Sequence, residues 1–133
     1  MSYDKNNIFA KILRGEIPCK KIYENEHVLS FHDINPQKKI HALVIPKGEY
    51  IDLDDFNKKA NEKEIIEFHK AISHVTSLLG ATKNGYRVLS NIGPDGGQEV
   101  PHLHFHIFAG EKIGKMVIWD ETNSGQIFFR TEK

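Results

Sequence analysis

The chain has 133 residues, a single cysteine, and 18 basic side chains balanced by 18 acidic ones. That length fits one domain with a sizeable core, and the cancelled charge removes the electrostatic footprint of proteins held on nucleic acid or anionic membranes. One cysteine excludes an intrachain disulfide and a thiolate-rich zinc site within one subunit; no stretch has the apolar length of a membrane span, and MSYDKNNIFA lacks the order of a signal peptide, so a soluble cytoplasmic protein is expected.

Asn6 or Asn7 caps a short helix carrying Ile8, Phe9, Ile12 and Leu13 along one stripe, and Gly15 followed by Pro18 stops it. Cys19 reads as a buried or half-buried free thiol. Three β-like runs come next, over residues 21–23, 28–31 and 41–45, separated by polar turns at 24–26 and at Asn35-Pro36. Asp54 and Asp55 read as carboxylates near a helix start and are assigned no chemistry. Residues 62–79 form the long helix, with Ile65, Phe68, Ile72, Val75 and Leu79 on one face and Gly80 just beyond it. His69 and His74 lie on this helix as surface or packing residues. A fourth strand over 86–91, YRVLSN, runs into the turn GPDGGQ, and a fifth returns beside it through PHLHFHIF. Short connections favour antiparallel pairing, with the long helix covering one sheet face. The expected class is α+β, with a five-stranded antiparallel sheet, one short helix and one long helix, in a single domain over 1–133. Within the segment 111–133, residues 116–119 and 127–129 are open as strands, an arm or a partner-binding tail.

The run PHLHFHIF sets His102, His104 and His106 at period two, which on a strand gives them one face and leaves Leu103, Phe105 and Ile107 the other. Rings so placed are roughly 6.6 Å apart, twice the rise per residue, so one small anion can touch two or three of them. Four readings fit: a half-exposed strand whose polar face is histidine, a metal site, a nucleic-acid surface, and phosphoryl or nucleotidyl transfer. The balanced charge weighs against nucleic acid, and all-histidine metal sites usually draw ligands from separated elements. Two segments can join the row. In NIGPDGGQEV, glycine lets the backbone approach a ligand, and amides with the Asn91 and Gln98 side chains suit phosphate oxygens. In FHDI, Asp33 is placed either to accept both hydroxyls of a ribose or to form a turn before Asn35-Pro36.

These residues carry a resemblance. His102-Leu103-His104-Phe105-His106-Ile107-Phe108 follows the motif of the histidine triad proteins without a departure, and IFAKILRGEIP, FHDINP, HALVIPK and GPDGGQEVPHLHFHIFAG extend the likeness from about residue 8 to residue 110. The chain is most similar to the Hint branch, the nucleoside phosphoramidate hydrolases, more than to the dinucleoside polyphosphate hydrolases. The resemblance implies a homodimer with a continuous sheet and hydrolysis of purine nucleoside 5'-phosphoramidates, AMP or GMP joined to an amine. It implies that Ile8, Phe9, Ile12, Phe31, Ile34 and Leu43 line a base pocket and that Asp33 binds the ribose. Asn91, Gly97, Gln98 and His106 would hold the α-phosphate, His104 would be the nucleophile, and His41 and His102 would orient the row. Glu99 stands where some members have serine, at the leaving-group side. Dinucleoside polyphosphate hydrolysis and non-catalytic nucleotide binding with a protein partner are the alternatives. Neither a metal nor another cofactor is called for, and no nucleic acid or membrane partner is expected.

Elementary chemistry agrees with a histidine nucleophile. Imidazole has an ordinary pKa of about 6.5 and is largely a free base near neutrality, so it needs no separate base. A hydrogen bond from Nδ1 to a backbone carbonyl would fix the tautomer and aim Nε2 at phosphorus. Attack through a covalent intermediate splits one hard displacement into two easier ones.

Overall fold

The structure, a computed structural model, describes residues 2–115. Asn7 caps the first helix, α1 (Ile8–Leu13), by accepting from the Ala10 amide at 2.9 Å. Gly15, at φ 78°, then takes the left-handed conformation that ends it. Strands β1 (Lys21–Glu24) and β2 (Val28–His32) form a hairpin whose turn is closed by the Asn25 carboxamide, which accepts from the amides of His27 and Val28. Strand β3 (Ile40–Pro46) pairs with β2 in unbroken antiparallel register.

A second short helix, α2 (Leu53–Lys59), corrects the expectation of one short and one long helix. Asp52 is its cap, accepting from the Asp55 amide, while Asp55 accepts from Ile51 and pairs with Lys59. The long helix α3 (Glu62–Leu78) starts with a capping box in which Asn61 and Glu64 satisfy each other's amides, and it buries Phe68, Ala71 and Val75. Strands β4 (Arg87–Leu89) and β5 (Phe105–Ala109) complete an antiparallel sheet of order β1-β2-β3-β5-β4.

Side-chain alternation along β2 and β3 feeds two cores. Val28, Ala42 and Val44 join Phe56, Phe68, Ala71, Val75, Leu103 and Ile107 beneath α2 and α3. On the opposite face Leu29, Phe31, Leu43 and Ile45 gather with Phe9 of α1. The sheet is thus covered on both faces near its centre, and β2 and β3 read as nearly continuous apolar runs for that reason.

Both strands flanking the glycine-rich loop are shorter than expected. The fourth ends at Leu89 because Ser90 Oγ donates to the His104 carbonyl at 2.8 Å, a side chain standing in for the next ladder bond. The fifth begins only at Phe105. Pro101 has no amide, the His102 amide donates back to Val100, and the Leu103 amide donates to Tyr50, so these groups pair outside the sheet. The expected strands at 116–119 and 127–129 lie outside the described residues.

Candidate active site

Cross-strand register assembles the site from three strands. Leu43 sits opposite both Phe31 and His106, His41 opposite Phe108, and Leu89 opposite His106, which puts His41, His106, Phe31 and Leu43 on the α1 face of the sheet. Asp33, two residues beyond Phe31, follows β2 on the same side. Phe9 reaches across from α1 and sets its ring edge-on to Phe31 at 5.7 Å and to His104 at 5.0 Å.

The three histidines of the row are not alike. His106 belongs to β5 and is partly exposed; its ring lies 5.0 Å from that of His104, edge to face. His104, just before the strand, is 6% exposed, and His102 is 0% exposed. Phe9 stands edge-on to His102 as well, at 6.2 Å, so His102 keeps to the α1 side of the sheet and differs from the other two in being fully enclosed. The apolar half of the expectation holds, since Leu103 and Ile107 are buried and Phe105 packs against the main core.

Hydrogen-bond partners, backbone groups for three rings and His41 for His106, fix the tautomer of each. The His102 carbonyl accepts from His104 Nδ1 at 2.7 Å, so the proton of neutral His104 is on Nδ1 and Nε2 carries the lone pair. The Pro46 carbonyl accepts from His102 Nε2 at 2.9 Å, which leaves His102 Nδ1 as an acceptor for the Tyr3 hydroxyl at 2.5 Å. The Gln37 amide donates to His41 Nδ1 at 3.0 Å, so His41 carries its proton on Nε2 and donates it to His106 Nδ1 at 2.9 Å. His106 is left with its proton on Nε2. One ring thus ends in a lone pair and its neighbour in a donor.

Burial keeps these rings neutral. It lowers the pKa of His104 despite the bond to the His102 carbonyl and the nearby carboxylates of Asp33 and Glu99, which pull upward. His102 and His106 are each brought down to about 4, chiefly by desolvation. His41 is lowered for the same reason, with Asp33 opposing.

Asp33 forms the expected turn and also faces His41. Its Oδ1 accepts from the Asn35 amide at 2.8 Å, an Asx turn, while Oδ2 approaches His41 Nε2 at 3.4 Å. Asp33, His41 and His106 bring three ligand atoms within 4.8 Å of one another, a donor set able to hold a cation.

The glycine-rich loop is internally braced. Gly93 and Gly97 adopt φ 69° and 77°, which other residues tolerate poorly. The Gly97 amide donates to Pro94 and the Gln98 amide to Gly93. The Gln98 side chain accepts from the Gly93 amide and donates to the carbonyls of Ile51 and Val100. Gln98 and Gly97 thus shape the loop, whereas Asn91 makes no side-chain hydrogen bond among the described residues. Glu99 is exposed and near enough to His104 to raise its pKa.

Of the expected base-pocket residues, Phe9, Phe31 and Leu43 are gathered in the second core, with Ile12 half-buried beside them. Ile8 lies at the surface, and Ile34 is 97% exposed, outside that cluster. Tyr3, Gln37 and the Pro46 carbonyl take part in the site without any signal in the motif; a tyrosine near the N-terminus and two backbone groups have no spacing to betray them.

Residues 14–113 match the HIT domain family. A 13.2 kDa HIT-like protein of Azospirillum brasilense is 59% identical over 116 residues, which cover 87% of this chain and 95% of that protein. A HIT family hydrolase from Clostridium thermocellum superposes with a TM-score of 0.78 at 36% identity, covering 86% of this chain and 99% of that one. A histidine triad nucleotide-binding protein from Candida albicans gives 0.71 at 29% identity, covering 89% and 88%.

Proposed function

Since the chain belongs to the HIT domain family, we propose that it is a nucleotide-binding hydrolase that cleaves the P–N bond of purine nucleoside 5'-phosphoramidates through a nucleotidyl-histidine intermediate. The observation that carries this reading is the tautomer of His104, a buried imidazole whose Nδ1–H is held by a carbonyl and whose Nε2 keeps a lone pair. The words hydrolase and nucleotide-binding in the names of the Clostridium and Candida proteins support the reaction class and the ligand class.

His104 Nε2 attacks phosphorus, the P–N bond breaks, and the amine departs after taking a proton from water. His106 Nε2–H donates to a phosphoryl oxygen as charge builds there, and Asn91 offers a second donor. Gln98 and Gly97 hold the loop in shape for this. Water then attacks phosphorus, AMP leaves, and His104 recovers its lone pair. Asp33 takes the ribose hydroxyls, Phe9, Phe31, Leu43, Ile12, Ile8 and Ile34 offer apolar surface to the base, and His41 orients His106.

Rapid quenching of the protein with adenosine 5'-phosphoramidate tests the reading: AMP should be trapped on His104, and His104→Ala should lower turnover at least about a thousandfold while keeping AMP binding. Activity should survive a chelator. Label on another residue, turnover of dinucleoside polyphosphates alone, or binding without turnover would overturn it.

A further inference from the structure

The segment ahead of α1 is tied down over the histidine row. The Asn6 amide donates to Asp4 Oδ1 and the Asn7 side chain to the Asp4 carbonyl, at 2.9 and 2.7 Å. Lys5 pairs with Glu49 at 2.9 Å, and Arg14 donates to the Lys5 carbonyl. The result is a strap that presents Tyr3, ring edge-on, to His102 at 5.6 Å between centroids. The direction of the 2.5 Å contact between them follows from the other end of the ring. Because Pro46 offers only a carbonyl, His102 Nε2 must bear the proton, so Nδ1 accepts and the Tyr3 hydroxyl donates. Burial raises the Tyr3 pKa, which keeps that hydroxyl a donor.

We propose that Tyr3 is a positioning residue for the nucleophile, acting through His102 on His104. This rests on the reading of His104 as the attacking group. His102 is fully enclosed, so without the hydroxyl its Nδ1 lone pair has no partner. Moving the ring proton to Nδ1 gives no relief, since that N–H finds no acceptor and Nε2 then sets a lone pair against the Pro46 carbonyl, so the ring turns instead. That turn shifts the residue whose own carbonyl holds His104 Nδ1–H, and the nucleophile loses its single tautomer.

The test uses the full chain with Tyr3→Phe, which keeps the aromatic edge and removes the hydroxyl, beside Tyr3→Ala, which removes both. Ring-nitrogen NMR reads the tautomers of His102 and His104, and rapid quenching with adenosine 5'-phosphoramidate reads adduct formation. In Tyr3→Phe, adduct formation should slow about tenfold, KM should stay within about twofold, and the ring nitrogens of His104 should show a tautomer mixture. Tyr3→Ala should show the same mixture and at least the same slowing. Wild-type tautomers and wild-type adduct rate in Tyr3→Phe, with only Tyr3→Ala slowed, would reduce Tyr3 to packing and overturn the proposal, as would a tautomer change without slowing. If wild-type protein forms no adduct on His104, the hydrolase reading fails instead. The NMR comparison then still decides whether Tyr3 sets the tautomer of His104.

Discussion

Each imidazole around the site has been drawn below the ordinary value of 6.5 by loss of water, and His102 reaches about 4. Between those limits the unfolded chain binds more protons than the folded one, so stability is complete above about pH 6.5 and is lost as the pH falls toward 4. For His102 alone the loss is roughly 1.4 kcal/mol per pH unit through that window. Urea unfolding at pH 7, 6 and 5 should show it, and His102→Gln, which cannot titrate, should flatten the slope; an unchanged slope would place the acid sensitivity elsewhere. The same lowering keeps His104 unprotonated, so the acid limb of kcat/KM should fall below 6.5. Asp33→Asn should preserve the Asx turn, since an amide oxygen still accepts from Asn35, yet lose the ribonucleoside preference over 2'-deoxy substrates by about tenfold or more. Equal losses on both sugars would make Asp33 purely structural.

The elements differ in how plainly the sequence announced them. Strands β2 and β3 and helix α3 were legible to within about two residues, because each buries a run or stripe of apolar side chains whose period shows directly. Helix α2 was not, since LDDFNKK buries only Phe56 and so paints no stripe. The triad was legible as a motif, but the depth of His102 was not: it follows from Pro101 and from the Leu103 amide turning to Tyr50, and neither alters the alternation of residue types. The same segment between β3 and α2 holds the loop, because the Ile51 carbonyl accepts from Gln98 while the Tyr50 carbonyl accepts from Leu103. Gln98→Ala should therefore loosen loop and nucleophile together, lowering kcat about tenfold with the helical circular dichroism unchanged. Wild-type kcat in that variant would show that the brace is dispensable.

At the scale of the molecule, the sheet of the described residues ends in two edge strands, β1 and β4. β1 carries a register shift between Lys21 and Tyr23 and is crowded by Lys21 and Lys47, both paired with Glu24, features that discourage further strand pairing. β4 is a three-residue edge on which Arg87 donates to the Gly114 carbonyl, and it neighbours His106 through Leu89. We propose that two copies pair through β4, extending the sheet across both; light scattering should give twice the chain mass at micromolar concentration, and Val88→Pro should give monomer. A wild-type monomer would remove this expectation. None of the helices in the described residues is long and apolar enough to cross a membrane.

The strap and the histidine row meet across 99 positions of sequence. During synthesis Tyr3 leaves the ribosome 99 positions ahead of His102, its partner beside the last strand of the sheet. No fragment that stops short of His102 can hold a finished site, so the poised nucleophile waits on the closure of that loop. Contacts of such separation form slowly. In refolding, adduct formation on His104 should return to its full rate with the slowest phase, after the helical signal of α3.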